Sequence, residues 1–224
     1  MSSIPPPARD SDAPPKADPG PRRPKYLVVA LVMALAFGAG CWTEGCGRLA
    51  FYRGEVDYGA QLNQQIKDEQ DRERVESLYQ RYLDAADSGR GRAIPIAAAI
   101  FVLGAALLAL TARGLAGKSN TRSALVQVVA AQAIVVAGSY FALKPMREAE
   151  LEWQSEHTLA MKRETMTTDQ FEQVAPMMHK LRRWTPPAWL VFRTFASALI
   201  LVALTRQRSR EFFEAAGGAD PQAS

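Results

Sequence analysis

Apolar residues are gathered into four blocks along this chain, at about 26–46, 93–112, 123–143 and 188–205, and the charges lie mostly between them. A helix rises about 1.5 Å per residue, so about 20 mostly apolar residues cross a hydrocarbon layer roughly 30 Å thick. Each block is about that long. The stretch from Tyr26 to Cys41 and the central turns of the second and third blocks carry no charge, while Arg193 stands inside the fourth. A helix apolar on every side belongs in lipid or in a large core, and this chain has too few amphipathic segments to build such a core. Lipid offers the backbone no hydrogen-bond partner, so spans of this kind must be helices. The pattern predicts an all-α integral membrane protein with four transmembrane helices and two helical extramembrane loops, 47–92 and 144–187, forming a small bundle.

The loops carry a different periodicity. Tyr58, Leu62 and Ile66 share one helical face, as do Val75, Leu78 or Tyr79, and Tyr82. Between them, Lys67 to Arg74 is wholly polar and reads as a solvated turn laced with opposite charges. Gly45 and Gly47 are expected to weaken the first helix, and Gly89 and Gly91 to end the loop helix before the second span. Beyond Pro145, Met146, Ala149, Trp153 and Ala160 continue a stripe, so the proline is expected to kink the third helix and not to end it. Thr167 with Gln170, or Asp169 with Glu172, resembles a capping box, followed by Phe171, Val174, Met178 and Leu181 at heptad-like spacing. Trp184-Thr185-Pro186-Pro187 is the expected break into the fourth span. Residues 1–25 hold eight of the fourteen prolines and read as a disordered tail, and 206–224 as a basic, then flexible, C-terminal tail.

Averages conceal this segregation: 48% hydrophobic and 22% charged residues would suit an ordinary soluble domain. The 27 Lys+Arg against 23 Asp+Glu leave a net charge of +4, too small and too scattered for a nucleic-acid partner. Two cysteines exclude a disulfide-rich scaffold and a four-cysteine zinc site. The short link between the second and third blocks carries Arg113, Lys118 and Arg122 with no acid, while Arg22, Arg23 and Lys25 precede the first block and Arg206, Arg208 and Arg210 follow the last. By the positive-inside rule both termini are expected in the cytoplasm, with the protein in the plasma or inner membrane and its helical loops outside. Trp42, Tyr140, Phe141, Trp184 and Trp189 gather at the loop-side boundary as an aromatic belt. A rival reading takes the first block as a lipoprotein signal ending at Gly38-Ala39-Gly40-Cys41, although Gly38 stands where such signals usually have leucine.

Few residues suggest chemistry. Arg193 is costly in lipid unless it pairs or snorkels, and Glu44 lies at a similar depth in the first span, so the two form a candidate structural ion pair. Gln127 and Gln132 suit hydrogen bonding between spans, and the spacings Ala34/Gly38, Ala36/Gly40 and Ala133/Ala137 suit close helix approach. Cys41 and Cys46 form a disulfide only if the helix unwinds between them; otherwise they are two free thiols. Met177, Met178 and His179 offer soft ligands for Cu(I), against the plainer reading of Met178 as core packing. No catalytic set, phosphate loop or cofactor motif is visible in the sequence, which leans away from an enzyme.

The plan of four spans with two outer loops resembles tetraspanin-like and claudin-like proteins in topology alone. Their cysteine motifs are absent, and the resemblance implies no functional residue. The expected role is a non-enzymatic scaffold or interaction subunit. Its partners are the lipid bilayer and either another membrane protein or copies of itself. A sensor-like module relaying ligand binding across the membrane is the alternative. A small transporter or membrane-enzyme subunit requires Arg193, Glu44 and Gln132 to line one water-filled cavity.

Overall fold

The computed structural model describes residues 23–54, 59, 63, 65–118 and 120–218. Expectations for most of the Pro-rich tail, for Tyr58 and Leu62, and for residues 219–224 fall outside the described residues. Among the described residues the chain is all helical. The helices are α1 (Lys25–Arg53), α2 (Glu69–Leu115), α3 (Thr121–Ala142), α4 (Lys144–Arg163), α5 (Thr168–Thr205) and α6 (Gln207–Gly218). Four of them, α1, α2, α3 and α5, are long and apolar enough to cross a membrane.

Several expected breaks do not occur. Gly45 and Gly47 sit inside α1, which ends instead at Gly54, whose φ of 74° is open to glycine without strain. Gly89, Gly91 and Pro95 all lie inside α2, which runs 47 residues without interruption. Each glycine costs about 1 kcal/mol of helix propensity, and Pro95 removes one N–H donor. Tertiary packing outweighs both, and Arg90 ties α2 to the end of α1 by donating to the Tyr52 carbonyl at 2.8 Å. Likewise α5 continues through Pro176, Pro186 and Pro187, so the expected break before the fourth span is absent. Pro145 belongs to the first turn of α4, where its missing N–H costs nothing, and the chain turns at Leu143 just before it. Helix α2 starts only at Glu69, later than the apolar pattern suggests. Asp68 caps it by accepting from the Asp71 N–H at 2.9 Å.

Two cores stack along the bundle. The first, at the end away from the start of α1 and expected to be the outer one, joins the close of α1 to the N-terminal half of α2 and to α4, with Tyr52, Ile66, Val75, Tyr79, Tyr82, Met146 and Trp153 buried. The predicted stripes of α2 and α4 therefore meet, the Trp153 ring lying 5.0 Å from Tyr79 and stacking on Tyr82 at 6.0 Å, whereas the stripe of Phe171, Val174, Met178 and Leu181 is not part of this core. The second core is aliphatic, with Leu27, Leu31, Leu107, Leu125, Val129, Ile200 and Leu204, and is closed off by Phe212 and Phe213 of α6. At this end Arg206 lies over the Tyr26 ring, Arg23 over Phe212, and Arg122 donates to the Leu204 carbonyl at 2.8 Å. The start of α1, the α2–α3 turn and the end of α5 thus share one basic end.

Helices α1 and α2 touch backbone to backbone. A Cβ on Gly104 would lie 2.5 Å from the Trp42 nitrogen, and one on Gly45 would lie 2.6 Å from the Phe101 nitrogen. Gly38 is similarly tight against Leu108 and the Gly104 carbonyl, whereas Gly40 faces open space. Of the spacings expected to bring helices together, the one holding Gly38 is at this contact and the one holding Gly40 is not.

Candidate functional site

The polar residues of the spans converge where α1, α3, α4 and α5 meet. Glu44 and Arg48 are one turn apart on α1 and pair at 3.1 Å. Arg193 of α5 turns into the bundle with its side chain only 12% exposed, and its Nη1 lies 3.4 Å from the other Glu44 oxygen. One carboxylate therefore bridges two guanidiniums. Its neighbour Cys41 is buried, and its sulfur accepts from Arg193 Nη2 and from Gln132 Nε2, the latter at 2.7 Å. Gln132 bonds across helices as expected, while Gln127 is exposed on α3.

Cys41 and Cys46 are both free thiols, Cys41 buried and Cys46 exposed. The free-thiol alternative holds because α1 is continuous through both, and residues five apart on a helix point to different faces. Met177, Met178 and His179 do not converge. Successive helical residues are rotated by about 100°, which sends Met177 and His179 to different sides of α5, and both are exposed. Among the described residues no group of three His, Cys, Asp or Glu side chains is placed to hold a metal ion.

A cavity of about 270 Å³ opens beside the Glu44 cluster. Glu44, Arg48 and Arg193 form one wall, Arg147 and Glu150 of α4 another, and Val136, Leu143, Trp189 and Leu190 supply apolar surface. The one-residue turn at Leu143 explains the arrangement: it sets the first turns of α4 directly over the end of α3. Arg147 then reaches back, lies over the Tyr140 ring at 3.7 Å and donates to the Tyr140 carbonyl, one of the carbonyls that a helix end leaves without a partner. Burial pushes the Glu150 carboxyl above its ordinary range; Arg48 opposes that shift and Glu44 adds to it.

Arg48, Arg147 and Glu150 were not foreseen as site residues. The spacing of Glu44 and Arg48 was a usable signal, but only the turn at Leu143 brings α4 to them. The three residues on which a transport path depends do not share one cavity. Gln132 lines a small space of about 10 Å³ that adjoins the larger cavity at Val136 and Arg193 and is hardly enough for one water molecule. Compared with protein-family models, curated proteins and solved structures, the chain matches none.

Proposed function

We propose that the chain is a four-span integral membrane protein with both termini in the cytoplasm, and that it acts as a non-enzymatic interaction subunit. The outer parts of its helices dock a partner membrane protein or a second copy. One observation carries this reading. On the part of α5 that precedes its apolar span, Met177, Leu181 and Trp184 are 64%, 56% and 70% exposed, three and four residues apart on one side of the helix. The segment is held to α4 by only a few contacts, among them Arg163 over the Phe171 ring and Arg182 donating to Ser155 at 2.8 Å. Its apolar stripe is thus left uncovered where water, and not lipid, would surround it.

Lipid insertion is tested by alkaline carbonate, which should leave the chain in the membrane fraction. Docking is tested with a photo-crosslinking residue at position 181 in native membranes. A discrete adduct that disappears with Trp184→Glu, at unchanged melting temperature, supports the reading. No adduct, or one indifferent to Trp184→Glu, overturns it.

A second reading, the sensor-like relay, is favoured by the continuity of α2 and α5. Helix α2 would span on the order of 70 Å at 1.5 Å per residue, from the aromatic core to the basic end, as one rod. A ligand of the outer end should then change the alkylation rate of a cysteine introduced at Arg113. An unchanged rate argues against the relay.

A further inference from the structure

The 270 Å³ cavity has a neighbour of about 350 Å³ between α4 and α5, and both are lined by Tyr140, Arg147 and Pro186. The second is bordered by Arg182 and Arg183, so five arginines surround the joined crevice: 48, 147, 182, 183 and 193. Three carboxylates, Glu44, Glu148 and Glu150, line the same space. Glu44 lies between Arg48 and Arg193, and Glu148 is 3.8 Å from Lys144. Among the described residues, no carboxylate is in ion-pair contact with Arg147, Arg182 or Arg183. The crevice is therefore cationic where Arg147, Arg182 and Arg183 stand, and it offers apolar surface at Val136, Leu143 and Leu190 beside the Glu44 cluster.

Position matters as much as charge. Tyr140 and Leu143 end the apolar run of α3, Pro186 and Trp189 begin that of α5, and Phe141 and Trp189 are exposed at the same level. Aromatic side chains favour the boundary between headgroups and acyl chains. Guanidiniums pair with phosphate through paired N–H donors, and basic pockets between spans suit acidic headgroups. We infer that the crevice between α3, α4 and α5 binds an anionic phospholipid, with its phosphate at Arg147 and Arg183 and the start of an acyl chain against Val136, Leu143 and Leu190. The lipid would brace the outer segment of α5 against α4. The inference rests on the membrane reading above, because only a chain in lipid presents this crevice to a phospholipid.

The test uses the full chain purified in a mild detergent and exchanged into mixed micelles containing phosphatidylglycerol or phosphatidylcholine. Bound lipid is counted by native mass spectrometry after delipidation. Retention of phosphatidylglycerol at least fivefold above phosphatidylcholine is expected. It should fall to the phosphatidylcholine level in Arg147→Gln and in Arg183→Gln, and stay unchanged in Arg208→Gln at the basic end. Arg183→Gln serves if Arg147→Gln misfolds, since Arg183 is exposed. Equal retention of the two lipids, or equal loss in Arg208→Gln, overturns the inference. So does inorganic phosphate or oleate displacing the lipid at equal concentration, because the site would then recognise a soluble anion or any acidic amphiphile. Carbonate extraction distinguishes the failures: release from the membrane sinks the membrane reading, whereas retention without lipid selectivity sinks only this one.

Discussion

The outer core stacks rings around Trp153, whereas the core at the basic end holds aliphatic side chains around Leu107 and Leu125. The outer core is assembled from amphipathic stripes with charged backs, such as Arg74 pairing with Glu156 at 3.3 Å and Arg163 with Asp71 at 2.5 Å. The aliphatic core is assembled from helices whose outer faces are also apolar, with Val29, Val102 and Ile134 turned outward. On the proposed membrane reading the two are stabilised by different physics. Water drives the first together by excluding apolar surface. In lipid that drive is absent between spans, and close packing must hold the second.

This difference sets an order of expected effects. Trp153→Ala should cost about 3–5 kcal/mol, since it removes a ring that stacks on Tyr82 and lies against Tyr79. Ile200→Ala in the aliphatic core should cost clearly less if, as proposed, lipid replaces water as the reference and only packing is lost. Thermal unfolding in detergent compares them, and equal losses would break the contrast. Next comes Gly104→Val, which forces α1 and α2 apart at the Trp42 backbone and should cost on the order of 3 kcal/mol. Gly40→Val faces open space and should leave the melting temperature nearly unchanged.

At the seam between the cores, Glu44→Gln removes the carboxylate from Arg193 and should cost roughly 1–2 kcal/mol. A melting temperature equal to that of the parent would show that the pair adds nothing. Gly89→Ala, in open space on α2, should gain about 0.5–1 kcal/mol by the same assay.

The smallest effect is one of pH. Glu150 binds its proton more tightly folded than unfolded, so stability from this group is greatest at low pH. It falls as pH rises from the ordinary carboxyl range through the raised folded value. Glu150→Gln should remove that slope and raise the melting temperature slightly at neutral pH. A variant that melts lower at neutral pH would mean that the charged form is the one the cavity favours.

The membrane-length apolar blocks and the loop stripes were legible because each depends on local periodicity. The buried positions Val75, Tyr79, Tyr82, Met146 and Trp153 all fall on stripes visible in the sequence. The breakers misled for the opposite reason. Gly89, Gly91, Pro186 and Pro187 each carry a local cost, and no local rule registers the packing that outweighs it. The candidate site was half legible: Glu44 and Arg193 are conspicuous charges in apolar runs, but Arg147 and Glu150 look like ordinary members of a charged helix.

The sequence alone determined that the chain is helical, where its long apolar segments lie and which faces of the loop helices need cover. Those are properties of neighbouring residues, fixed by backbone geometry and by the cost of exposing apolar surface. The tertiary structure alone decided that α1 and α2 meet at Gly45 and Gly104, that Cys41 accepts hydrogen bonds from Gln132 and Arg193, and that a turn at Leu143 gathers arginines around one crevice. These contacts join residues tens of positions apart, whose distances depend on how whole helices cross.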